Sequence, residues 1–160
     1  MSDTPPTVPQ PLAYLLTFRS YGTWLHGDPR GWVKRSHRDT RLRTPHEGIR
    51  RASGRLLTNA PVAFDTRQRL LIHTTMVRVC EARGWRLFAI NVRTNHVHIV
   101  LSGGGAPERM MTALKAWSTR MLRKEHAVGA DGRLWAQHGS TRYLWRDEAV
   151  AAACRYVRDQ

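Results

Sequence analysis

Residues 85–102 read WRLFAINVRTNHVHIVLS. Two runs rich in β-branched and aromatic residues flank the short polar stretch Arg93-Thr94-Asn95, which predicts an antiparallel hairpin with strands over 85–92 and 96–102. Side chains two apart on a strand share a face, so His96 and His98 point together while Val97 and Ile99 point away. One face of the hairpin is therefore apolar, and the other carries paired imidazoles. Neutral imidazoles suit a divalent metal, and this pair supplies half of a site. In a chain with eight histidines, chance gives roughly 0.4 pairs at this spacing. Taken alone, the pair reads as surface histidines on a half-buried sheet.

Upstream, residues 14–20 (YLLTFRS) form a first strand. Residues 65–83 carry Leu70, Leu71, Met76, Val77 and Val79 at broadly helical spacing, and Gly84 supplies a stop. Downstream, glycines 103–105 end the hairpin. A second helix follows over 107–125, with Met110, Met111, Leu114, Trp117, Met121 and Leu122 as its apolar stripe. Residues 134–135 and 142–145 are two short strand candidates. Asp147 is the expected N-cap of a final helix through Gln160, with Glu148 complementing the helix dipole. No internal repeat is visible. Strand, helix, strand, strand, helix, strand, helix is an α+β pattern: an antiparallel sheet with helices packed on one face.

Two segments stand outside that pattern. Residues 1–11 are rich in Pro and Thr and are expected to form a disordered tail, leaving a single domain over 12–160. Residues 21–60 form a long basic insertion that opens on a glycine-punctuated aromatic loop and shows little hydrophobic periodicity. So long a connection inside a domain is usually functional or mobile.

A length of 160 residues and 41% hydrophobic content fit one globular domain with its own core. The 26 Lys and Arg against 12 Asp and Glu leave a formal charge of +14 and a pI near 11.4. Such an excess calls for a polyanionic partner. Arginine greatly outnumbers lysine, and its planar fork grips phosphates and stacks on bases, which favours nucleic acid over a membrane surface. A membrane span and a signal peptide are not expected, since no long apolar run and no basic-then-apolar start is present. Cys80 and Cys154 read as reduced core thiols of a cytoplasmic, nucleoid-associated protein.

Chemistry enters with the last helix. Tyr156 and Gln160, four apart, project from one helical face and could meet a metal held by His96 and His98. Two imidazoles and one amide oxygen leave positions open for phosphate oxygens, while the phenol is placed as a nucleophile. The bland alternative makes Tyr156 a core aromatic beneath the helix. On a chain this basic, the reactive reading points to nucleic-acid strand cleavage.

In these residues the chain resembles the HUH single-tyrosine transposases, the group of insertion-sequence transposases that move as single-stranded DNA and of REP-associated tyrosine transposases. The resemblance is carried in family order by Tyr14-Leu15-Leu16-Thr17-Phe18, Asn95-His96-Val97-His98-Ile99-Val100, Leu134-Trp135-Ala136-Gln137-His138-Gly139 and Tyr156-Val157-Arg158-Asp159-Gln160. It implies a ferredoxin-like sheet, with Mg2+ or Mn2+ bound by His96, His98 and Gln160. Tyr156 would attack a DNA phosphodiester, giving a 5′-phosphotyrosine and a free 3′-hydroxyl that can reverse the step. Single-stranded or hairpin DNA is the implied partner. A homodimer with exchanged helices is one arrangement to be considered. The chain departs from the pattern in its long basic insertion and in Asp159-Gln160, where REP-associated members often carry Asn-Pro.

Arg30, Lys34, Arg35, Arg38, Arg41 and Arg43 are candidate phosphate contacts, or else a solvated loop. Trp24 and Trp32 are candidate stacking platforms for unpaired bases, or else covers for the sheet edge. Two rival functions stay open: an inactive DNA-binding module that kept fold and charge, and an RNA-binding ferredoxin-like domain. The latter would carry exposed aromatics on two central strands. A small-molecule metal hydrolase would leave the charge unexplained.

Overall fold

A computed structural model of the chain describes residues 9–33 and 41–160. Its elements are β1 (Ala13–Ser20), β2 (Trp32–Val33), β3 (Leu42–Arg43), α1 (Glu47–Arg55), α2 (Thr66–Arg83), β4 (Arg86–Val92), β5 (His96–Ser102), α3 (Pro107–Lys124), β6 (Trp135–Leu144) and α4 (Asp147–Arg158). The hairpin of β4 and β5 forms as its alternation predicts, with Val92 opposite Val97 and Ile90 opposite Ile99. Local signals set the ends of α2. The Asp65 carboxylate accepts from the Gln68 amide while Gln68 Oε1 accepts from the Asp65 amide, and Gly84 closes the helix at φ +65°.

The four long strands form one antiparallel sheet in the order β4-β5-β1-β6. With α2 and α3 as its crossovers this is the expected ferredoxin-like arrangement. Period-two alternation then sorts the side chains between two layers. Leu16, Phe18, Val97, Ile99 and Leu101 enter the main core with Ile72, Met76, Cys80, Met110, Leu114 and Leu122 of α2 and α3. The opposite face is covered by α4, whose Val150, Ala153, Cys154 and Val157 pack on Ala13, Leu15, Ala89 and Val100. So α2 and α3 share one face, as expected, and α4 takes the other, the face that bears the histidines. Both cysteines are buried and unpaired, and burial raises the Cys80 thiol to about 11.

Three local expectations change. The two short candidates over 134–135 and 142–145 merge into one ten-residue strand, β6 (Trp135–Leu144), because its polar middle pairs with β1 across Thr17–Ser140 and Phe18–Gly139. Arg146 takes the N-cap position of α4 without a side-chain bond, and Asp147 is the first helical residue, where its charge still faces the helix dipole. Part of the basic insertion is ordered: β2 and β3 pair, and α1 follows with His46 as N-cap, although α1 buries none of its residues. Residues 1–8 of the expected tail, and Lys34, Arg35 and Arg38, lie outside the described residues.

At Gly139, β6 runs close against β1 and α3. A Cβ there would lie 2.5 Å from Met111 Sδ and 2.6 Å from the Thr17 carbonyl oxygen, and the second of these is backbone that cannot swing aside. Gly139→Ala is expected to cost about 2 kcal/mol through overpacking. At this chain length that lowers Tm by roughly 4–8 °C, to be read by a thermal melt followed by circular dichroism.

Candidate active site

Val97 and Val100 are held in the two cores, and this fixes the strand on which His96 and His98 stand. The two rings lie 4.8 Å apart between centroids. Each is oriented by a neighbour through Nδ1: His96 by Asn95 Oδ1 at 2.6 Å, and His98 by Thr17 Oγ1 at 2.8 Å across the β1–β5 pair. With Nδ1 donating to these oxygens, both Nε2 atoms keep a lone pair for a ligand. Burial, reinforced by His98 and by Arg19, Arg93 and Arg30, lowers the His96 imidazole to about 4. Burial also lowers His98, with Arg19 and Arg93 adding to the effect. Both rings are therefore neutral at pH 7, the form that binds a metal.

Tyr156 reaches the same place from the other element. Val150, Ala153, Cys154 and Val157 form the buried stripe of α4, and Tyr156 lies at its edge, 47% exposed. Its ring meets that of His98 edge-on at 5.3 Å between centroids. The end of the helix is tied to β4: Asn91 Nδ2 donates to the Val157 carbonyl at 2.9 Å and to the Gln160 carbonyl at 3.2 Å, and Arg93 Nη1 also donates to the latter. These bonds satisfy carbonyls that a helix C-terminus leaves bare, and they fix the position of the tyrosine. His96, His98 and Tyr156 thus come together within one chain.

Gln160 lies just beyond Asp159, the C-cap of α4, so it does not continue the helical face of Tyr156. Among the described residues no cluster of three or more His, Cys, Asp or Glu exists that could hold a metal. A divalent cation on the imidazole pair must therefore complete its shell with amide, phosphate or water oxygens. Two neutral nitrogens with open positions beside them fit such a cation.

The aromatic loop borders this site. Asp28, buried, accepts from Arg30 Nε and Nη2, both at 2.7 Å, and from the Arg30 amide at 2.9 Å. These bonds to Arg30 hold the Asp28 carboxyl below the usual carboxylate range. Arg30 also donates to the Thr23 carbonyl, so its guanidinium braces the loop. Trp32 is buried, its ring against His26 and Arg43 and its Nε1 bonded to the Thr44 carbonyl, which leaves Trp24 as the open indole. Trp24 donates to the Gly31 carbonyl and is 42% exposed. In α1, Glu47 pairs with Arg50 and Arg51. Arg41 and Arg43 are on the exposed surface at β3.

Sequence reasoning missed Arg19, Thr17 and Asn91. All three are polar side chains on otherwise apolar strands, and the alternation of Thr17 and Arg19 along β1 was the signal that could have found two of them.

Residues 60–160 match the family model described as transposase IS200 like. Among solved structures, the chain is similar to a REP-associated tyrosine transposase bound to a REP hairpin. The TM-score is 0.54 at 11% identity, covering 98% of this chain and 70% of that one. It is also similar to a candidate transposase from Deinococcus radiodurans R1, with a TM-score of 0.46 at 16% identity, covering 100% of this chain and 98% of that one. At such identities the first likeness is one of fold. No curated protein sequence matches the chain. The matched family segment contains both histidines and Tyr156, and it begins where the basic insertion ends. Among the described residues no helix is long and apolar enough to cross a membrane.

Proposed function

The chain belongs to the IS200-like transposase family, and from that premise we propose that it cuts and rejoins single-stranded DNA through a covalent 5′-phosphotyrosine on Tyr156. The observation that carries this reading is the contact of the Tyr156 ring with His98, itself beside His96. A phenol held at a pair of neutral imidazoles is poised for phosphoryl transfer.

His96, His98 and the Gln160 amide would hold Mg2+ or Mn2+, which when bound would polarise the scissile phosphate. The chain's own residues do the rest. Thr17 and Asn95 orient the imidazoles, Asn91 and Arg93 hold the end of α4, and α4 presents the phenol. Single-stranded DNA bearing a hairpin is the proposed substrate. The charge of +14 supplies sequence-independent affinity, to which Arg41 and Arg43, with Lys34, Arg35 and Arg38, would contribute, and Trp24 offers a ring to an unpaired base. On the histidine-bearing face the central strands β1 and β5 present Thr17, His96 and His98, which does not favour an RNA-stacking platform.

The test is to incubate the protein and Mn2+ with labelled single-stranded oligonucleotides carrying a stem-loop and randomised flanks. Adducts that survive denaturing electrophoresis are recovered and sequenced. A Tyr156-linked adduct is expected; binding without any adduct would support the inactive module instead.

One residue oriented by the fold offers a check on the metal. Thr17→Val keeps the side-chain volume and removes the hydroxyl that positions His98. Mn2+ affinity, followed by electron paramagnetic resonance, is expected to weaken roughly 10–100-fold. Unchanged affinity would mean that this hydroxyl does not position a ligand.

A further inference from the structure

Arg19 stands on β1 directly opposite His96 and is half-buried. Its guanidinium lies over the Trp24 ring, 4.4 Å from the centroid. Asp28 is the carboxylate whose charge reaches it, but Asp28 is already bound by both prongs of Arg30. Arg19 Nε is buried, and among the described residues it has no hydrogen-bond partner. A buried donor on a charged group is costly to leave unpaired, and an orphan of this kind in a folded protein calls for an explanation.

The chemistry of the missing partner follows from the geometry. A guanidinium held over the indole with its Nε unpartnered suits a tetrahedral oxyanion accepting two parallel bonds. Arg19 pairs with His96 across the β1–β5 ladder, beside the His98 ring that Tyr156 meets. Resting on the strand-transfer reading above, we propose that Arg19 is a further catalytic residue that grips the non-bridging oxygens of the phosphodiester attacked by Tyr156. In that step the phenolic oxygen forms a bond to phosphorus as the bond from phosphorus to the 3′-oxygen breaks. The departing oxygen keeps the electron pair and takes a proton from solvent, and the phenol proton passes to solvent. Negative charge accumulates on the non-bridging oxygens in the transition state, and a preoriented guanidinium stabilises it there.

The experiment compares wild type, Arg19→Ala and Arg19→Lys on an oligonucleotide recovered from the adduct selection. A second oligonucleotide carries a methylphosphonate at the scissile position, which removes the charge that Arg19 would neutralise. On the phosphodiester, Arg19→Ala is expected to slow adduct formation about 100- to 1000-fold. Arg19→Lys, which keeps charge without the fork, should recover part of the rate. On the methylphosphonate, the gap between wild type and Arg19→Ala should shrink to within about threefold, because no anionic oxygen remains to be gripped. An equal gap on both oligonucleotides would make Arg19 merely structural and overturn the proposal. So would an Arg19→Ala protein that cuts the phosphodiester at the wild-type rate. If Arg19→Ala fails to fold, the same comparison made with Arg19→Lys decides the matter. A wild-type protein that makes no adduct with either oligonucleotide sinks the strand-transfer reading itself, a result distinct from wild-type cutting that is indifferent to Arg19.

Discussion

Replacing Tyr156 with phenylalanine is expected to eliminate the covalent DNA adduct, a loss of roughly 10^4-fold or more for removal of a nucleophile. The substitution deletes one oxygen from a ring that is nearly half exposed. The edge-on contact with His98 involves the ring and not the hydroxyl, and no hydrogen bond of that hydroxyl is lost among the described contacts. Stability should therefore hardly change. DNA affinity, measured by fluorescence anisotropy on the selected hairpin oligonucleotide, should stay within about twofold of wild type, since it is dominated by backbone charge. An adduct that persists in Tyr156→Phe would assign the nucleophile to another residue and defeat the proposed mechanism.

His98→Ala is expected to reduce adduct formation about 1000-fold, with DNA affinity falling no more than about threefold. The two effects separate because His98 is one of two nitrogens available to a metal, whereas binding draws on the charge of the whole surface. His98 is 6% exposed, so truncation also opens a small cavity and loosens the seat of the Tyr156 ring. His98→Gln fills that space while supplying a poorer ligand. If lost ligation is the cause, His98→Gln should be nearly as slow as His98→Ala, and raising Mn2+ should recover part of its rate. Should cutting and binding decline in parallel in both variants, the imidazole would be a DNA contact and the metal reading would fall.

What the chain revealed beforehand follows physical rules. The bounds of β5 and the shared face of His96 and His98 were legible because an apolar run closed by glycines reads as a strand, on which side chains two apart share a face. The end of α2 was legible because Gly84 follows the last periodic residues and takes the left-handed C-cap. The middle of β6 was not, since Gln137 to Thr141 is polar and becomes strand only by pairing with β1 at the sheet edge. Nor was α1, which buries nothing and so carries no apolar stripe. Gln160 appeared to share a helical face with Tyr156, but the helix ends at Arg158. The fates of Trp24 and Trp32 depend on which indole the loop folds over, a tertiary choice that leaves no local mark. Alternation along β1 marked the position of Arg19, but its meaning lies in Asp28 being engaged by Arg30, which is a tertiary fact.

The packing of α4 gives its docking a second role. Val150, Ala153, Cys154 and Val157 cover the exposed half of the sheet, and the same segment brings Tyr156 to histidines placed far earlier in the chain. On the strand-transfer reading, a molecule whose α4 has not docked would lack the phenol beside its imidazoles.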